Sequence, residues 1–265
     1  MNAQEYIQKF GDLSKLDRRV LLAEMDRIWD SQGLNNQEHL SLQGAGVANF
    51  YSHPVWQLNG LFSEYDPTSN VHRKMIVSAV NSITPNINKI ADFGGGSGYL
   101  AKLLIQSNRN SIVDVIEPFP SEFFIKRLAG VERIRFLSDF SGKYDLVIAQ
   151  DVLEHVDNPI ELSLRLVEVT KLKGYLIFAN CFYPDIKCHL PSTFYLRYQF
   201  KNVMTSAGLK YKGIVPGVPH AQIFQRWEQT DKNKVTKATQ HAKLYGPTQN
   251  NIMNCCSKLK NYLFN

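Results

Sequence analysis

Residues 90–100 read IADFGGGSGYL. An apolar pair runs into an acid, Asp92, and four glycines, Gly94, Gly95, Gly96 and Gly98, follow within five positions. The flanks, KIADF before and GYLAKLLIQS after, carry the patterns of a short buried strand and of a helix, so the glycines fall in a strand-to-helix turn. Outward from that turn, strand-like and helical runs alternate from residue 88: SIVDVIEP, SEFFIKRLA, RIRFLSD, YDLVIAQ, PIELSLRLVEVTK and GYLIFAN. After a helical stretch at 193–207, KYKGIVPG and HAQIFQRW bring the strand candidates to seven. Such alternation predicts an α/β fold, βαβ units around a mostly parallel sheet with helices on both faces.

Upstream the texture differs. LDRRVLLAEMDRIW, residues 16–29, sets Val20, Leu21, Glu24, Met25, Ile28 and Trp29 in near-helical order, and HRKMIVSAVNSI, residues 72–83, puts Met75, Ile76, Ala79, Val80 and Ile83 on one face. Between them lies NFYSHPVWQLNGLFSEYDP, rich in aromatics and turn formers. The chain therefore divides into an N-terminal helical and aromatic addition at 1–71, a core at 72–227 and a polar tail at 228–265. In the tail, Ile252, Cys255, Cys256, Leu259 and Leu263 suit a short amphipathic helix that docks on the core, pairs subunits into a homodimer or touches a membrane surface.

The 44% hydrophobic content over 265 residues fills a sizeable core, yet no apolar run approaches the roughly 18 to 20 residues of a membrane span. The start, MNAQEYIQKFGDL, lacks the basic-then-apolar layout of a secretion signal, and the expected location is cytoplasmic. Cys181, Cys188, Cys255 and Cys256 have no zinc-ligand spacing and read as reduced thiols. The formal charge of +6 comes with basic residues spread along the chain, which makes nucleic-acid binding the weaker reading.

The glycines sit where, in an open α/β sheet, the first strand-to-helix turn brings its backbone against a ligand. A dinucleotide fingerprint started at Gly94 needs glycine where Tyr99 stands, and there is no phosphate-loop motif. What remains is an acid followed by alternating glycines: Asp92, Gly94, Gly96, Gly98. This resembles motif I of class I S-adenosylmethionine-dependent methyltransferases, and the resemblance runs in order over roughly residues 72–227. It implies a Rossmann-like seven-stranded sheet and S-adenosylmethionine as cofactor, with the turn passing the cofactor's amino-acid end and ribose and Asp92 orienting its ammonium group.

Further checkpoints follow the same order. Glu117, with Pro118 after it, ends the second strand nineteen residues beyond Gly98, the place for a carboxylate that accepts from ribose hydroxyls. Asp139 and Phe140 close the third strand, where the resemblance implies an acid for the adenine amino group and an apolar neighbour for its ring. Gln150 and Asp151, in YDLVIAQDVLEHV, emerge beside the cofactor after strand four.

Methyl transfer to a hydroxyl needs a proton acceptor, and histidine suits that task. His155 follows strand four, His189 follows strand five in CFYPDIKCHLPS, and His220 begins the last strand; each also reads as a packing or hydrogen-bonded histidine. Asp151, Glu154 and His155 at the start of a helix read first as a capping group, with Asp151 the cap and Glu154 near the positive end, and no metal is expected. The weaker reading, implied by the resemblance to ubiquinone-pathway and small-RNA 2'-O-methyltransferases, is that the three share a face and hold one divalent ion such as Mg2+, with Asp151 where those enzymes tend to have glutamate. Tyr51, Trp56, Phe62 and Tyr65 either pack the addition onto the core or roof an acceptor pocket. The expected activity is O-methylation of a small-molecule or glycan-type acceptor. N-methylation, nucleic-acid 2'-O-methylation and a non-catalytic cofactor-binding subunit are the rivals.

Overall fold

The computed structural model describes residues 2–36, 44–83 and 87–264, with side chains as far as residue 255. Seven strands, β1 (Lys89–Phe93), β2 (Ile112–Ile116), β3 (Ile134–Leu137), β4 (Tyr144–Gln150), β5 (Thr170–Ala179), β6 (Leu209–Val215) and β7 (Val218–Arg226), form one sheet in the order β3-β2-β1-β4-β5-β7-β6. β7 alone runs antiparallel to its neighbours β5 and β6. The order reverses between β1 and β4, and in such sheets the ligand crevice opens beyond the carboxyl ends of the strands at that reversal.

Side chains alternate across each strand and so feed two cores. Ile90, Val113, Leu146, Ile148 and Ile177 point to the face covered by α5 (Pro67–Ile83) and α6 (Tyr99–Ser107). Ala91, Val147, Leu176 and Phe178 point to the face covered by α8 (Pro159–Val169) and α9 (Phe200–Ser206). A short α7 (Glu122–Leu128) bridges β2 and β3. The helical reading PIELSLRLVEVTK needs one correction: the helix stops at Val169 and β5 begins at Thr170, whose hydroxyl donates back to Leu166 O at 2.8 Å.

The N-terminal addition builds a third core. α1 (Ala3–Gln8), α2 (Arg18–Ser31), α3 (Ala45–Tyr51) and α4 (Pro54–Tyr65) bury Tyr6, Leu21, Met25, Ile28, Trp29, Phe50, Val55 and Leu58, and the loop after β5 contributes Cys188 and Leu190. The addition thus seats on the loop that bears His189. Two apolar residues of the predicted faces lie outside: Val20 is 51% exposed and Met75 39%.

The tail is one helix, α10 (Lys232–Phe264), far longer than the short element expected. Val235 and Ala242 join the core beside α9, and Gly246 lets the helix backbone close on Tyr195 of the 3-10 turn Pro191–Leu196. Ile252 and Cys255 of the expected stripe are exposed; the side chains of Cys256, Leu259 and Leu263 lie outside those described. Among the described residues no helix is long and apolar enough to cross a membrane, and Cys181, Cys188 and Cys255 are free thiols.

Candidate active site

The four glycines of the turn have different reasons to be there. A Cβ on Gly94 would come within 2.5 Å of Val152 Cγ2, and on Gly98 within 2.7 Å of Leu128 Cδ1; both have φ of +70°. On Gly95 it would lie 2.6 Å from Asp92 Oδ2. These three are required by the protein's own packing. Gly96, at φ +51°, would direct a Cβ into open space, with nothing nearer than Gly94 O at 4.0 Å. Its left-handed backbone favours glycine, but of the four it alone has no packing contact that bars a side chain, and the space before it is open to a ligand.

Around that turn lies a cavity of about 1820 Å³. Single small-ligand sites run to roughly 1,000 Å³, so there is room for a cofactor and an acceptor together. Asp92, Gly94, Gly95, Gly96, Glu117, Pro118, Asp139, Gln150 and Asp151 all line it. Gly98 and Phe140 do not. Phe140, expected to pack on the adenine ring, is half-buried and stacks on Phe93, ring centroids 5.7 Å apart, with the Arg165 guanidinium over it at 5.3 Å.

Asp92 is 2% exposed and its Oδ2 has no hydrogen-bond partner. Burial pushes its carboxyl up to about 7, against the pull of the Arg73 guanidinium, with Glu117 adding to the rise. Asp92 lines the cavity, and a buried carboxyl there with an unpartnered oxygen fits an incoming cation such as an ammonium group. Glu117 takes Gly96 N–H on Oε2 at 3.0 Å and Phe119 N–H on Oε1 at 3.1 Å. Burial raises its pKa while those two bonds lower it. Each oxygen keeps a second lone pair for hydroxyls. Asp139 is exposed and lines the cavity, and its Oδ1 takes both Arg165 Nη2 and Phe140 N–H at 2.6 Å.

Beyond the glycine turn the cavity runs under the N-terminal addition. Tyr51, Trp56 and Phe62 line it, whereas Tyr65 is exposed and outside it. Tyr51 stacks on Phe119 at 5.4 Å, and Trp56 meets His155 edge-on at 6.1 Å. His155 and His189 stand ring to ring at 4.8 Å. Their Nδ1 atoms face carbonyls, Cys188 O at 3.0 Å and Tyr183 O at 2.8 Å, so Nδ1 carries the proton and Nε2 its lone pair in each. Burial, with His189 next to it, drives His155 down to about 3. His189 is lowered too, by burial, though Tyr183 O, Asp185 and Asp151 favour its charged form. His220 lies apart from them, packed on His72 at 5.2 Å with Asp151 nearby.

The helix expected at DVLEH is absent. Leu153–His155 is a 3-10 turn, α8 starts only at Pro159, and Asp151 sits ahead of the turn with φ +54°. Asp151 and Glu154 therefore do not share a helical face, and Asp151 caps no helix. In place of the weaker metal reading of Asp151, Glu154 and His155, two other groups come together among the described residues: Glu154 with His155 and His189, and Asp151 with Cys181 and His220, each with ligand atoms within 4.8 Å of one another. Glu154 is fully buried, takes Cys181 N–H on Oε1 at 2.8 Å and leaves Oε2 without a partner. Its carboxyl is pushed up to about 8 by burial and then by Asp151.

One site residue escaped the sequence reading. Arg73, on α5, lines the cavity beside Asp92, held by Ser63 O at 3.1 Å and Ser63 Oγ at 3.2 Å; burial lowers its pKa against the pull of Asp151 and Asp92. A signal was present. Arg73 precedes Ile76, Val77 and Val80 by three, four and seven residues, which puts a cation in register with the buried stripe.

With this geometry in hand, likeness to known proteins falls into place. Residues 62–247 match a methyltransferase domain family. The ubiquinone biosynthesis O-methyltransferase of Rickettsia bellii is 29% identical over 139 residues, 49% of this chain and 58% of that protein. Its counterpart in Rickettsia prowazekii is 27% identical over 138 residues, 49% of this chain and 55% of that one. This chain thus spans little more than half the length of either relative. Human N-acetylserotonin methyltransferase, solved in complex with S-adenosylmethionine, superposes with a TM-score of 0.54 at 17% identity over 78% of this chain and 66% of that one, which shows the shared fold.

Proposed function

The chain belongs to the methyltransferase-domain family, and on that premise we propose that it transfers a methyl group from S-adenosylmethionine to a hydroxyl of a small-molecule or glycan-type acceptor. The observation that carries this reading is the junction of Asp92, Gly96 and Glu117 on one open cavity: an unpartnered buried oxygen, a bare Cα and a tethered carboxylate. When bound, the cofactor supplies the electrophilic methyl and the positive charge. Asp92 holds the ammonium group, Glu117 the ribose hydroxyls, and Gln150, Asp151 and Asp139 border the remainder. Tyr51 and Trp56 roof the acceptor and keep water from it. Such positioning is the main contribution the protein makes to an in-line displacement. The acceptor's proton goes to His189 Nε2, whose partner nitrogen is fixed on Tyr183 O; His155, driven down to about 3 by burial, orients it through the ring contact. The open cavity argues against a cofactor-binding subunit without catalysis.

A second reading is favoured by the unpartnered Glu154 Oε2. With His155 and His189 it makes a carboxylate and two imidazoles whose Nδ1 atoms are already held by carbonyls, a set that fits a transition-series divalent ion better than all-oxygen Mg2+ coordination. Such an ion would polarise the acceptor oxygen.

The test is incubation with methyl-labelled S-adenosylmethionine and fractionated cell extract, followed by mass identification of the labelled product. An O-methylated small molecule supports the proposal; an N-methylated product or labelled RNA overturns the acceptor class, and no transfer despite cofactor binding overturns the enzyme. Loss of transfer on chelation, restored by added metal, selects the second reading.

A further inference from the structure

We propose that α10 is a membrane-surface element that docks the protein on an anionic lipid bilayer. The charge of the chain is divided sharply. Residues 232–265 contain six lysines, no arginine and no acid, so the whole formal charge of +6 lies in this helix and its last residue, and residues 1–231 are balanced. The lysines alone look dispersed along the chain; it is the acids that are missing here.

The helix has one face on the body. Val235 and Ala242 are buried there, Asn250 Nδ2 donates to Phe194 O at 2.8 Å, and Gln199 Nε2 donates to Gln249 Oε1 at 2.5 Å. Away from that face, Leu244 is 68% exposed, Ile252 57% and Tyr245 50%. Single exposed apolar residues are ordinary, but three within nine positions on one side of a helix form a patch. Ile252 follows Tyr245 by seven residues, the interval that keeps a helical face, and the sequence repeats it at Leu259. Lys237 is exposed on the same helix, as are Lys234, with Asp231 at 4.0 Å, and Lys243, over the Tyr195 ring at 5.7 Å.

An apolar patch on a helix with lysines and no acids fits a surface that offers both anionic headgroups and an acyl boundary. A nucleic acid supplies the charge without the apolar layer. A second copy supplies an apolar face but sets six lysines against six more. Neither matches both halves of the pattern. This inference is independent of the methylation chemistry.

The experiment is flotation of the full-length protein with vesicles of phosphatidylglycerol and phosphatidylcholine, and with phosphatidylcholine alone. Binding to the anionic vesicles is expected, weakening with salt. Replacing Tyr245→Asp and Ile252→Asp together should reduce it at least tenfold, and Lys234→Gln with Lys237→Gln about 25-fold, at about fivefold for each charge near the surface. Unchanged thermal melting by circular dichroism shows that the variants fold. The proposal is overturned by equal partition to both vesicle types, by no partition at low salt, by variants that float like the parent, or by binding to an RNA oligonucleotide in place of vesicles. Sedimentation velocity showing a dimer that the paired Asp variant dissolves would overturn it as well.

Discussion

The backbone N–H of Gly96 donates to Glu117 Oε2 at 3.0 Å, which ties the turn after β1 to the acid that ends β2. Phe119 N–H holds the other oxygen at 3.1 Å, so the carboxylate is oriented before any ligand arrives. Hydrogen bonds to a charged group contribute about 1.5 to 3 kcal/mol each. Glu117→Ala should therefore weaken cofactor binding about 10- to 100-fold while leaving acceptor affinity nearly unchanged. Glu117→Gln is expected to do little better, because its amide nitrogen must face one of two backbone donors. Titration calorimetry with S-adenosylhomocysteine reads both, and wild-type affinity in either would remove the ribose role.

Gly96 and Gly94 should separate binding from folding. Gly96→Ala meets open space, so it costs about 1 kcal/mol for its left-handed backbone but places a methyl where the ligand approaches. Gly94→Ala drives into Val152 and should lower the melting temperature clearly more. Expected is a Gly96 variant that melts near wild type and fails to bind cofactor; the reverse order would mean that the open space is not a ligand path.

Asp92 links binding to pH. Its folded pKa of about 7 lies above the ordinary value near 4. Between those values the folded state holds a proton that the unfolded chain has lost, so stability of the free protein should fall as pH rises from about 4 to about 7. A cationic ligand favours the ionised carboxylate, so cofactor affinity should rise from pH 6 to pH 8 with proton release. Calorimetry in two buffers of different ionisation enthalpy measures that release, and Asp92→Asn should abolish it.

Arg73 pulls the Asp92 pKa down. Arg73→Met should therefore move the midpoint of the pH dependence of cofactor binding to higher pH, where a purely structural role would lower affinity at every pH alike. Arg73→Lys should restore part of the shift.

His189→Ala should lower kcat about 10²- to 10⁴-fold, the usual weight of general acid–base catalysis, and spare cofactor affinity. His220→Ala, away from the His155–His189 pair, should have the smaller effect. Full turnover of the His189 variant across the pH range would clear it of proton transfer.

The seven strands and the glycine turn were legible in the amino-acid order because both are local. Period-two and period-3.6 patterns place strands and helices, and Asp92, Gly96 and Glu117 stand at the ends of consecutive strands whose neighbourhood follows from the parallel order. DVLEH misled because Pro159 starts the true helix and leaves Asp151 in a left-handed kink ahead of a 3-10 turn.

What tertiary structure alone decided is who stands together across long separations. Phe140 packed on Phe93 under Arg165, His189 came to His155 from a different loop, and Tyr51 and Trp56 closed over His155. Those meetings depend on how the N-terminal helices seat on the loop after β5, through Trp29, Phe50, Cys188 and Leu190. Packing complementarity between segments more than a hundred residues apart leaves no period in the chain; a carboxylate at the end of a strand does.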